Sequence, residues 1–138
     1  MRHRFAGALA VLAAVAPTAA GQQPGEDPLA RLLFPPELVM QRRADIGLQP
    51  EQRATITKAI QDFQTKVVDL QWRIQEQSQK LAGLLGKPSV DPAAALAQVD
   101  EVLSVEREMK RAHMTLLIQI KNTLTPEQQA KLAAARGP

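Results

Sequence analysis

Between Pro50 and Leu85, apolar side chains recur at Ile56, Ile60, Phe63, Val67, Leu70, Ile74, Leu81 and Leu84, in steps of four and three interrupted only by Gln77. Such steps place every one of these positions on one narrow stripe of an α-helix, the pattern of a coiled-coil-like seam, and no strand pattern competes with it. At 1.5 Å per residue the helix runs roughly 50 Å. Gly86, Pro88 and Pro92 then break the pattern, and Asp91 is placed to cap a helix that starts at Pro92. A second stripe follows at Ala95, Val99, Val102, Met109, Leu116 and Ile120, with Glu106 and His113 at two of its positions. Two long helices joined by a short Gly/Pro turn fold back as an antiparallel hairpin, so the sequence predicts an all-α fold.

Two short helices flank the hairpin. One follows Pro35 and Pro36, passes through Leu38, Val39 and Arg42 to Asp45, and closes by Gly47, where glycine can take the left-handed conformation. The other runs from Pro126 to Ala135. One local element opens two of the four helices: Leu48-Gln-Pro-Glu-Gln52 and Leu124-Thr-Pro-Glu-Gln128. In the second copy, Thr125 can cap with its hydroxyl, Pro126 needs no amide partner, Glu127 follows, and Gln128 can reach back to the Thr125 amide. The first copy keeps Leu48, Pro50, Glu51 and Gln52, but Gln49 at the cap is expected to hold its helix less firmly.

Arg2, His3 and Arg4 precede an apolar run from Phe5 to Ala16, then Pro17 and the small residues Thr18 to Gly21. Together these read as a secretory signal over residues 1–20, cleaved after Ala20 and too short for a comfortable transmembrane helix. Residues 21–34 read as a flexible lead, polar and rich in Gly and Pro up to Pro28, and residues 35–138 as one helical domain. The chain has no cysteine, which suits a periplasm and leaves no disulfide framework. Its 17 Lys+Arg against 14 Asp+Glu become 15 against 14 when Arg2 and Arg4 leave with the signal. Basic and acidic residues are interspersed, so no nucleic-acid partner is expected. Two long helices with two short ones leave apolar surface without a partner layer, which favours a homodimer.

Catalysis finds no support in the residues. There is no Cys or Tyr, His113 is the one histidine left after the signal, and Ser78, Ser89 and Ser104 have no histidine nearby in sequence. Asp62, Asp69 and Glu76 fall at helical spacing from Lys58, Lys66, Arg73 and Lys80, as on an ordinary solvated face.

The paired Leu-x-Pro-Glu-Gln elements, the second reading Leu-Thr-x-x-Gln, on a secreted four-helix chain resemble the LTxxQ-motif family of periplasmic proteins, which spans Spy/CpxP-like chaperones and stress regulators and heavy-metal resistance sensors. The resemblance covers about Pro36 to Ala135. It implies a cradle-shaped all-α homodimer that binds unfolded envelope proteins without ATP or restrains a membrane sensor kinase. The sensor members instead bind zinc, nickel, cobalt or copper and signal to a kinase or an anti-sigma factor. They carry paired histidines on the first helix and a His-x-x-x-Met pair on the third. Here the first helix offers Met40 and no histidine, and the position four after His113 is Leu117. A weak site from His113, Met109 and a carboxylate is conceivable, but a seam histidine hydrogen-bonded across the hairpin or dimer is the plainer reading, and no metal or other cofactor is assigned. Phe34, Leu38, Met40, Phe63 and Trp72, with Val68 beside them and Arg42, Arg43 and Lys66 supplying charge, are the expected client or partner surface. Trp72 falls between seam positions Leu70 and Ile74, which puts it either off the hairpin core or inside a dimer interface.

Overall fold

The computed structural model describes residues 27–137, so the signal at 1–20, its cleavage after Ala20 and the start of the lead lie outside the described residues. The chain runs α1 (Pro36–Gln41), α2 (Pro50–Leu85), α3 (Pro92–Thr123) and α4 (Pro126–Ala135), preceded by a 3₁₀ turn at Ala30–Leu32, with no strand among the described residues. The two long helices pack against each other as the expected hairpin. Asp91 caps α3 by accepting from the Ala93 amide at 3.1 Å.

The first helix is shorter than the sequence suggests. It stops at Gln41, because Arg42 takes φ −101° and ψ 10°, and a separate turn carries the chain to Gly47. Glycine closes that turn as expected: at φ +63°, its amide bonds to the Ala44 carbonyl and the Leu48 amide to the Arg43 carbonyl, the paired bonds of a Schellman stop. Packing also begins before Pro35, since Phe34 is buried.

The core gathers at one end of the hairpin. Phe34, Val39, Ile46, Ile56, Ala59, Leu116, Ile120, Leu124 and Leu132 form one buried cluster, with Leu38, Leu48, Ile60 and Phe63 packed partly buried against it. Toward the other end the fold thins to a two-helix ribbon, in which Leu70, Ala95 and Val105 are buried while Ile74, Leu81, Val99 and Val102 are half-exposed. At the tip, Leu85 and Val90 face solvent.

The predicted seam on α3 needs one correction. Glu106 and His113 lie at the exposed rim, and Val105, absent from the expected stripe, is 2% exposed. Charged and polar side chains on the flank of the contact keep their heads in water, while Val105 beside them supplies the apolar surface that the contact buries. His113 rests its ring on Phe63, with centroids 5.8 Å apart. Gln77, the polar break in the α2 seam, is met across the hairpin: the Gln98 amide donates to its side-chain oxygen at 2.8 Å and its carbonyl at 2.9 Å. A matched polar pair inside an apolar seam favours one register over its neighbours.

Lys58–Asp62 and Glu76–Lys80 form the expected pairs one turn apart on α2. Arg73 does not stay on its own helix, and both its terminal nitrogens donate to the Glu108 carboxylate of α3 at 2.9 Å. Those bonds hold the Glu108 carboxyl below the usual carboxylate range, Lys66 adds to the effect, and partial desolvation opposes it. A depressed folded-state pKa stabilises the fold above the unfolded value and loses that contribution as pH falls through the folded one. Glu108→Gln is therefore expected to flatten the fall of Tm on acidification below roughly pH 4.3. Melting curves at neutral and acid pH check this, and an unchanged acid dependence would separate Glu108 from hairpin stability.

Candidate functional site

The two motif copies meet at the packed end. Leu124 is buried and Leu48 half-buried against the core, while Pro50 and Pro126 each occupy the first turn of their helices, where a missing amide costs nothing. Glu51 and Glu127 are exposed in those first turns, where the helix dipole favours an acidic group. Gln128 Oε1 accepts from the Thr125 amide at 2.9 Å, and Thr125 Oγ1 accepts from the Gln128 amide at 3.2 Å. Gln52 Oε1 accepts from the Gln49 amide at 3.0 Å. The start of α2 is thus secured by Gln52, while the Gln49 side chain turns back to the Gly47 carbonyl at 2.9 Å.

The same two glutamines also bond each other. Gln52 Nε2 donates to Gln128 Oε1 at 2.7 Å, and Gln128 Nε2 returns a bond to Gln52 Oε1 at 3.0 Å. Their remaining amide hydrogens cross to the partner motif's approach: Gln52 to the Thr123 carbonyl at the end of α3, and Gln128 to the carbonyls of Ile46 and Gly47 ahead of α2. Each primary amide therefore uses both donors and both acceptor positions, the full capacity of the group. Gln128 is 7% exposed, so this network stands where water would have to be excluded. The repeat is a lock that joins the starts of two helices to the end of α3 and to the turn that leads into α2. Sequence reading recognised each copy as a cap but not their union, because nothing local in either copy shows that the other lies beside it.

The expected client residues divide. Phe34 is 4% exposed and belongs to the core, which removes it from any client surface of the intact fold; its ring is covered by the Arg136 guanidinium at 5.2 Å. Leu38 is half-buried against the same cluster. Met40 is exposed on α1 and lines one recess with Phe63 and His113. Arg42 pairs with Asp45 at 3.3 Å and Arg43 donates to the Met40 carbonyl at 3.0 Å, so both also hold their own turn. Trp72 stands apart, about 13 Å farther along α2 than Phe63. It is 70% exposed and Val68, one turn before it, is 54% exposed, whereas Leu70 between them is fully buried. Within the chain, then, Trp72 lies off the hairpin core, on the side of α2 turned away from α3. Sequence reading passed over Lys121 and Arg136, whose roles depend on contacts with a segment some hundred positions away.

A family model described as heavy-metal resistance matches residues 5–131, nearly the whole chain. The protein belongs to that family. Heavy-metal resistance proteins of this kind fall within the LTxxQ group that the paired motifs resemble, and the family is typically periplasmic. Among the described residues no helix is long and apolar enough to cross a membrane. Neither a curated protein nor a solved structure matches the chain. The family description points to heavy metals, and Glu37, Met40 and His113 are donor side chains that line one recess. They do not fit a resident site: carboxylate, thioether and imidazole occur singly in the recess, and no group of three His, Cys, Asp or Glu side chains placed to hold an ion is found among the described residues.

Proposed function

We propose that this heavy-metal resistance family member is a periplasmic stress-response binder, working as a homodimer that holds exposed apolar segments of unfolded envelope proteins without ATP, or restrains an envelope-stress sensor through the same surface. The observation that carries this reading is the pair Val68 and Trp72. A large indole left mostly in water, beside a second apolar side chain and outside the core, is a costly placement for a monomer and a natural anchor for a partner. Charged neighbours such as Lys66 and Asp69 break up the patch, which keeps client holding weak and reversible.

Dilution of a denatured model client into stoichiometric amounts of residues 21–138, without nucleotide or metal, is expected to show suppressed light scattering. Trp72→Asp should weaken that suppression several-fold while leaving Tm unchanged. Because Trp72 is the single tryptophan, its emission should be that of a hydrated indole and shift to the blue on client addition. A client-insensitive, already buried emission would take Trp72 out of the binding surface.

The second reading, a metal-resistance sensor with diverged ligands, draws on the family description and on the recess shared by Glu37, Met40 and His113. Under the reading favoured here, calorimetry with zinc, nickel or copper shows no submicromolar binding. A submicromolar site abolished by His113→Ala would transfer the function to metal sensing.

A further inference from the structure

The side of α3 turned away from α2 carries a second stripe that the fold leaves bare. Leu96, Asp100, Leu103, Arg107, Lys110 and Met114 follow one another in steps of four and three, the spacing of a coiled-coil contact. Leu96 is 63% and Leu103 48% exposed, Met114 is half-buried, and the three charged residues are exposed. None of those three charges is paired among the described residues. They are also sorted along the helix, with the acid first and the two cations after it. Stacked on itself in parallel, such a stripe would set Asp100, Arg107 and Lys110 each against its own like, which is costly. Turned end for end, it complements itself. About a two-fold axis level with Val105, Asp100 faces Lys110 of a second copy, Leu96 faces Met114, and Leu103 lies along the aliphatic stem of Arg107. Each match occurs twice, because a two-fold contact uses the same patch on both chains. Arg111 adds a further cation beside the facing Asp100, while Glu106 nears its own copy at the axis with Arg107 of both chains around it.

The back of α2 has the same spacing, at Gln61, Thr65, Val68, Trp72, Gln75 and Gln79, without the same sorting of charge. Laid antiparallel on itself so that Trp72 covers Val68, it brings Lys58 to Lys80, Asp62 to Glu76 and Asp69 to Asp69, like against like along the whole flank. We propose that a second copy of this chain packs antiparallel on the outer stripe of α3, held in register by the Asp100–Lys110 pairs, and that Val68 and Trp72 stay free on the opposite side of the hairpin. The proposal rests on the homodimer reading above and deepens it, giving assembly to one helix and client holding to the other. The stripe spans roughly 27 Å, which makes a small interface with a dissociation constant in the micromolar range.

The test is sedimentation equilibrium of residues 21–138 at micromolar concentrations, which returns the dimer dissociation constant. Lys110→Asp and Asp100→Lys are each expected to raise it about tenfold or more. The chain carrying both exchanges, which restores opposite charges across the axis, should bind itself at least about threefold more tightly than either single variant. Trp72→Asp is expected to leave the constant unchanged. Circular dichroism checks helix content at the same concentrations, and Leu96→Ser, which alters no charge, carries the comparison should either charge variant lose helix. A dimer indifferent to the charge variants, or weakened by them without recovery in the double exchange, overturns the α3 contact and leaves the homodimer standing. Dissociation by Trp72→Asp alone moves the contact to α2 and takes Trp72 out of the client surface. A chain that stays monomeric sinks the contact and the homodimer together, and suppressed aggregation by that monomer would leave client holding standing.

Discussion

Replacing Gln128 by leucine is expected to lower the free energy of unfolding by about 3 kcal/mol, because it leaves buried partners of a hydrogen-bond network unpaired, each at about 1–3 kcal/mol. The substitution nearly preserves volume, so a packing defect contributes little. What disappears is the acceptor for the Thr125 amide, the donor to the Ile46 carbonyl, and both bonds to Gln52. Gln52 still has the Gln49 amide and the Thr123 carbonyl, so its helix start persists while its inward side faces leucine. Urea unfolding followed by circular dichroism gives the change directly. A double-mutant cycle with Gln52→Leu should return a coupling of about 1–3 kcal/mol, as expected for residues in one network. Strictly additive losses would mean that the two caps act separately and that the lock is geometric only.

Ile120→Ala is expected to cost about 3–4 kcal/mol, within the range for truncating a fully buried aliphatic side chain. Ile120 has no exposed surface and belongs to the cluster that draws α1 and α4 together with the start of α2 and the end of α3. Val99→Ala, a smaller truncation at a half-exposed position on the ribbon, should cost under about 1 kcal/mol. For a domain of this size the first loss is a large share of all the stability there is. Equal losses at the two positions would show that a partner layer, such as a second copy, packs the ribbon as firmly as the base.

The helices, their starts and their stops were legible in the sequence because each depends on residues within a turn or two. The four-and-three spacing from Ile56 to Leu84 could belong to nothing but a helix, Asp91 and Thr125 could be recognised as caps, and Gly47 as a left-handed stop. The end of α1 at Gln41 was not legible, since the apolar pattern continues to Ile46 and the break lies in the backbone at Arg42. The candidate surface was only half legible. Trp72 could be placed off the seam by counting around the helix, but Phe34 looked as available as Met40 and is instead core.

What the tertiary structure alone decided is what meets what. His113 and Glu106 lie at the rim of the hairpin and Val105 is buried, a division that the packing of α2 on α3 sets and that has no local sign. Arg73 found Glu108, Gln77 found Gln98, and the two motif glutamines found each other, all across the hairpin or beyond it. Periodicity and capping are properties of neighbours along the chain, so the sequence by itself determined this protein's helices and the family to which its paired motifs pointed. Pairing across the fold depends on register and rotation, which are set by the sum of all contacts, and only the folded chain could show that its repeated motif is one lock rather than two caps.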